Sequence, residues 1–187
     1  MATVTISTTG TTYRQPEEID EFLGRYGIWY RRFEGVDRLQ NASHEELLEA
    51  FDEPIQQLKT EGGYRTADII DVDAATPGLD AMLAKFASEH WHDEDEVRFI
   101  VKGRGVFHIH PTDDPVFRIQ VEAGDMIKVP HGTHHWFDLC DEKRVLAVRL
   151  FQDPSGWTPH YTGPGEEPHP EPVCFGPIFV SPVPPAS

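Results

Sequence analysis

The hydrophobic period changes part-way along the chain. Before residue 89, helical spacing alternates with isolated strands. The span 2–7 places Val4 and Ile6 two apart and reads as a strand. Pro16 opens a short helix holding Ile19, Phe22 and Leu23. Ser43 and Glu46 form a capping box ahead of Leu47, Leu48, Phe51, Ile55 and Leu58, with Pro54 positioned to break or kink that helix. A strand follows over 64–72. A third helix, over 80–88, keeps Leu79, Met82, Leu83 and Phe86 on one face.

From Glu89 onward the pattern turns to short strands: 96–102, 106–110, 116–122, 126–129, 134–139 and 144–151. Gly103-Arg104-Gly105, the span 111–115 and Gly124-Asp125 supply the turns. Regularly spaced short strands predict a β-sandwich or barrel. Ten of the sixteen prolines lie at or beyond Pro154, so the tail is expected to run extended over the barrel with loose final residues. A chain of 187 residues has room for one domain with a substantial core. The expected organisation is a single domain over 1–187, with an α/β part at 1–88, a barrel at 89–151 and a proline-rich segment at 152–187.

Charge narrows the partners. The formal net charge is -16, from 16 basic and 32 acidic side chains. Such a surface repels phosphate backbones and anionic membranes, which excludes nucleic acid and membrane as partners. Cys140 and Cys174 make no disulfide framework. The first thirteen residues lack a basic start and an apolar run, and no stretch approaches the roughly 18 apolar residues of a spanning helix. A soluble, cytoplasmic, monomeric protein is the expectation.

The candidate chemistry sits in two short segments. His90-Trp91-His92-Asp93-Glu94-Asp95-Glu96 is answered by His135 within Pro130-His131-Gly132-Thr133-His134-His135. Three imidazoles and one carboxylate suit a divalent transition metal, and four protein ligands on an octahedral ion leave two positions for a chelating substrate. His90 and His92 share a strand face. On a straight strand, however, Glu96 would lie roughly 13 Å from His92. Ligands of one ion stand within roughly 4 Å of each other, so 93–95 must bend the chain back. His131 and His134 compete with His135, although His134 has the opposite parity. His108 and His110 form a second His-x-His pair that faces inward or outward according to a one-residue register choice. Arg98 shares a face with Glu96 and brings a permanent cation to the site, fit to stabilise a bound anion. Arg149 is a further candidate for substrate or for a site carboxylate. Glu94 and Asp95 are candidate proton acceptors or plain loop carboxylates.

His90-x-His92-x3-Glu96-x6-Gly103 and Gly124-x5-Pro130-x-Gly132-x2-His135 resemble the two motifs of the cupin superfamily. The resemblance implies a mainly β double-stranded barrel (a jelly roll) with N-terminal helices. Ala84 and Leu139 depart from the motif ends, at positions that do not bind metal. Further words are similar to the acireductone dioxygenase family: Asp95-Glu96-Val97-Arg98-Phe99, His135-Trp136-Phe137-Asp138, Arg149-Leu150-Phe151 and Ser155-Gly156-Trp157. That resemblance implies one Fe(II) or Ni(II) per chain and an acireductone substrate, 1,2-dihydroxy-3-oxo-5-methylthiopentene, cleaved with O2 in methionine salvage. Phe137 and Trp157 would then wall the methylthio tail. The competing readings are another cupin dioxygenase with the same ligand set, or a metal-dependent small-ligand-binding cupin without turnover.

Overall fold

A computed structural model describes residues 1–50, 56, 60, 62–140, 142–153 and 158–163. The strands in chain order are β1 (Thr3–Ile6), β2 (Thr12–Tyr13), β3 (Trp29–Arg32), β4 (Thr66–Val72), β5 (His90–Trp91), β6 (Glu96–Ile109), β7 (Phe117–Glu122), β8 (Asp125–Val129), β9 (His135–Leu139), β10 (Val145–Phe151) and β11 (His160–Tyr161). Between them lie α1 (Pro16–Gly24), α2 (His44–Ala50), α3 (Leu79–Ala87) and a 3-10 turn at Val36–Leu39. No helix among the described residues is long and apolar enough to cross a membrane.

The 14-residue β6 serves two antiparallel sheets in turn. Its first half pairs with β10 and β8, which pair outward with β4 and β3. Its second half pairs with β7 and β9, and that sheet continues through β1 and β2 on one side and β5 and β11 on the other. The result is a jelly-roll barrel. It draws strands from both sides of residue 89, since β1, β3 and β4 belong to it.

Gly103-Arg104-Gly105 is therefore no hairpin turn, contrary to the sequence expectation. The chain runs straight through, and the glycines do other work. Opposite β10, β6 carries an extra residue: Ala147 faces Ile100 while Leu146 faces Lys102. This bulge swaps the faces of the strand. Glu96, Arg98 and Ile100 point inward before it, and Gly105, Phe107 and Ile109 after it. Gly103 takes φ +77, and a Cβ there would collide with the Arg144 carbonyl. At Gly105 a Cβ would occupy the slot filled by the Phe137 ring.

Two apolar layers flank the first sheet. The barrel interior packs Ile70, Val72, Ile100, Ile127, Val145 and Ala147 against Phe107, Ile109, Phe117, Ile119 and Phe137 of the second sheet. α1 adds Ile19, Phe22 and Leu23 to this core. The outer face of the first sheet, with Val97, Phe99, Val101 and Leu146, is covered by Val36, Leu47 and Tyr64. Burial on both faces explains why β10, apart from Arg149, reads as a run of apolar residues rather than an alternating one. α2 starts as expected: Ser43 N donates to Glu46 Oε2 at 2.7 Å and Glu46 N to Ser43 Oγ at 3.2 Å. The expected continuation through Phe51, Pro54, Ile55 and Leu58 lies outside the described residues.

Candidate metal centre

Three segments bring the ligand candidates together inside the barrel. β5 presents His90, and His92 follows it immediately. The chain then bends at Asp93 and Glu94, as the distance argument requires, and Glu96 returns as the first residue of β6. His135 opens β9, paired directly with His90. The bend is fastened at each residue. Asp93 meets His160 Nε2 at 2.7 Å. Glu94 Oε2 accepts from Gln152 N at 2.6 Å and Asp153 N at 3.0 Å. Asp95 accepts from His131 N at 2.9 Å. Glu94 and Asp95 are thus committed to holding the loop.

His90, His92, Glu96 and His135 are all buried, with relative exposures of 1%, 4%, 2% and 2%. One ring nitrogen of each histidine is already assigned. Nδ1 donates to a backbone carbonyl in every case: His90 to Ser88 at 2.7 Å, His92 to Thr158 at 3.0 Å and His135 to Thr133 at 2.8 Å. In a neutral ring that proton placement leaves Nε2 as a lone pair, the form in which imidazole ligates. The three rings offer ligand atoms within 4.8 Å of one another.

Glu96 is the fourth candidate, beside the three histidines. Its Oε2 lies 3.2 Å from His92 Nε2 and 3.1 Å from His135 Nε2. With Nδ1 already given to a carbonyl on both rings, each Nε2 meets the carboxylate either through a second ring proton or across a shared cation. Oε1 sits 2.6 Å from Arg98 Nε, an ion pair closed off from solvent. Such a donor set fits a divalent metal: borderline nitrogen ligands, one hard oxygen and no thiolate.

The electrostatics agree. Burial pushes the His90 imidazole down to about 3, helped by His135 and His92 and only partly opposed by the Ser88 carbonyl, so the ring is neutral at physiological pH. For Glu96, burial pushes the carboxyl up. Arg98 and the two histidines outweigh that, holding it well below the usual range. The Glu96 carboxylate is ionised and the His90 imidazole is not.

Arg98 is 1% exposed and caged by aromatic rings, its guanidinium 4.5 Å from the Phe137 centroid, 5.5 Å from Phe107 and 6.0 Å from Phe86. Negative ring faces help offset the cost of burying its charge. Arg149 stands opposite Arg98 in the β10–β6 register and opposite Asp68 in the β10–β4 register. It donates to both Asp68 oxygens, at 2.8 and 2.5 Å. Of the alternatives open for Arg149, a carboxylate partner is therefore found, and that carboxylate is Asp68, which sequence reading missed. Asp68 was legible only as one of two aspartates in the strand Thr66–Val72.

Comparison with known proteins places this geometry. The model of the ARD/ARD′ family matches residues 24–159. The chain belongs to the ARD/ARD′ family. An acireductone dioxygenase of a Picosynechococcus strain is 41% identical over 153 residues, covering 81% of this chain and 87% of that protein. One from a Sulfurihydrogenibium strain is 38% identical over 171 residues, covering 86% and 94%. Among solved structures, acireductone dioxygenase from Bacillus anthracis, with a cadmium ion in its active center, superimposes with a TM-score of 0.80 at 34% identity, covering 86% of this chain and 98% of that one. Its barrel is the cupin fold, as the motifs of this chain imply.

Within this ARD/ARD′ chain the remaining sequence candidates separate cleanly. Phe137 is buried between Arg98 and Phe107, with ring centroids 4.8 Å apart at the latter contact. His108 and His110 face outward, toward Asp138 at 3.0 Å and Glu89 at 2.6 Å. His131, exposed, and His134, half-buried, lie on the outside as well. Trp157 lies outside the described residues.

Proposed function

We propose that the chain is a metal-dependent acireductone dioxygenase of methionine salvage, a single cytoplasmic cupin domain that works as a monomer. Its substrates are 1,2-dihydroxy-3-oxo-5-methylthiopentene and O2, and its ligands for one Fe(II) or Ni(II) are His90, His92, Glu96 and His135. The observation that carries this reading is the convergence of three buried imidazoles, two of them in contact with an ionised, buried Glu96 beside Arg98, in a chain of the ARD/ARD′ family. When bound, the metal would supply Lewis acidity and open positions for the oxygens of an enediol.

The protein's own groups perform the rest. Arg98 is the catalytic cation: in a water-poor aromatic cage its charge stabilises an enediolate far more than it would in solvent, and so lowers the substrate's pKa. It also holds Glu96 in its ionised form. Arg149, fixed by Asp68, gives substrate binding a second cation in the same cross-strand row. Phe137 and Trp157 supply aromatic faces for the thioether tail. Exclusion of water by Phe86, Phe107 and Phe137 protects a reactive intermediate from side reactions.

The test uses one metal-free stock loaded with either metal, mixed anaerobically with substrate and then exposed to O2. The iron form should yield 4-methylthio-2-oxobutanoate and formate. The nickel form should yield 3-methylthiopropanoate, formate and carbon monoxide. Absence of oxygen uptake in both forms defeats the acireductone reading. Iron-type products from both forms would keep the dioxygenase and remove metal-controlled branching.

A further inference from the structure

β5 is only two residues long, and a single residue pair, His90 with His135, joins it to β9. Two metal-ligand candidates therefore meet where sheet hydrogen bonding is sparse. Something else must hold these segments at the precision a metal site requires. Directly before His90, Glu89 turns its carboxylate to the opposite, outer side of the sheet. It receives three contacts there. His134 Nδ1 lies 3.2 Å from Oε1, Thr162 Oγ1 donates to Oε1 at 2.7 Å, and His110 Nδ1 lies 2.6 Å from Oε2.

Each partner belongs to a different segment. His134 immediately precedes His135. Thr162 follows β11, the strand that pairs with β5, and its backbone N–H donates to the Glu89 carbonyl at 3.2 Å. His110 follows β6, and its N–H donates to the His134 carbonyl at 2.9 Å. A single half-buried carboxylate thus ties together the ends of β5, β6, β9 and β11. On the inner side the same short stretches supply the carbonyls of Ser88 and Thr133, which fix the His90 and His135 rings.

We propose that Glu89 is a positioning residue for the metal centre, clamping from outside the barrel the segments that present His90 and His135 inside it. The inference rests on the metal-centre reading above. Groups that orient ligands typically contribute ~10–100-fold to metal affinity when removed. Glu89 does so one step further out, through the backbone.

The experiment measures Ni(II) affinity of the full chain by competition with a chromophoric chelator, alongside metal stoichiometry and the melting temperature of the metal-free protein. Glu89→Ala should weaken Ni(II) by about tenfold or more. Glu89→Gln, which keeps one acceptor oxygen, should recover part of that, and Thr162→Val, which removes one tether, should fall between Gln and wild type. Saturating Ni(II) should restore one ion per chain in every variant. Affinity unchanged in Glu89→Ala, with only the melting temperature lowered, would reduce Glu89 to a structural residue and overturn the proposal. So would two Ni(II) per wild-type chain falling to one in Glu89→Ala, because Glu89 would then be a ligand itself. His135→Ala is the separate control: wild-type affinity there removes the metal-centre reading, whatever Glu89 does.

Discussion

Histidines line both sides of the same sheet, and the two sides differ in what the rings touch. On the inside, His90, His92 and His135 each give Nδ1 to a backbone carbonyl. On the outside, His108, His110, His134 and His160 each set a ring nitrogen against a carboxylate, that of Asp138, Glu89, Glu89 and Asp93 respectively. A carbonyl partner fixes a tautomer and leaves the other nitrogen as a lone pair. A carboxylate partner engages the ring nitrogen as a hydrogen-bond donor. The same side chain is thus prepared as a ligand on one face and as a hydrogen-bond partner of a carboxylate on the other. Strand parity and the β6 bulge decide which.

The sharpest way to break this comparison is to remove one ring from each side of β9. His135→Ala, like Glu96→Ala or His92→Ala, should strip most metal and abolish turnover. His134→Ala, one residue away, should retain a stoichiometric ion at saturating metal. Elemental analysis with oxygen uptake checks both. If His134→Ala were metal-free while His135→Ala stayed loaded, inside and outside would be exchanged.

The inner face was largely legible in the sequence because metal chemistry constrains it on several counts at once. His90, His92, Glu96 and His135 stand out by residue type and spacing, and the bend at 93–95 follows from strand rise once they are to share one ion. The outer face was not. Orientation of His108 and His110 depended on one extra residue in β6, and Gly103-Arg104-Gly105 looks like a hairpin turn because glycine is equally the residue of turns and of bulges. Only the partner strand β10 distinguishes the two, and its register is a tertiary fact. The Asp68–Arg149 pair was hidden for the same reason: it joins β4 to β10 across 81 residues of sequence. The two-residue strands β2, β5 and β11 carry too few positions to show any period.

A second test asks whether the inner face works by charge as well as by ligation. Arg98 touches Glu96 without being able to coordinate a metal. Arg98→Lys keeps a charge but loses the planar group that lies among Phe86, Phe107 and Phe137. Turnover should fall at least tenfold, about 1.4 kcal/mol of transition-state stabilisation, with metal content near one per chain. Unchanged kinetics would make Arg98 a structural counter-ion of Glu96 only.

The smallest expected effect lies on the outside, and it tests whether the partition holds along a single strand. His108 belongs to β6, as Glu96 and Arg98 do, but beyond the bulge, so its ring faces away from the barrel interior. There it stacks on Trp136 at 4.8 Å with an interplanar angle of 6°, and Nε2 lies 3.0 Å from the half-exposed Asp138 carboxylate. Stacking contributes about 0.5–1.5 kcal/mol, and an ion pair this exposed adds at most about 1 kcal/mol. His108→Ala should therefore cost about 1 kcal/mol of stability, a fall of roughly 2–4 °C in melting temperature for a chain of this size. Metal stoichiometry and turnover should not change. Thermal melts of the loaded enzyme, paired with oxygen-uptake rates, separate these quantities. A loss of metal in His108→Ala would mean that the bulge does not insulate the two halves of β6, and that outer-face packing reaches the ligands through the strand itself.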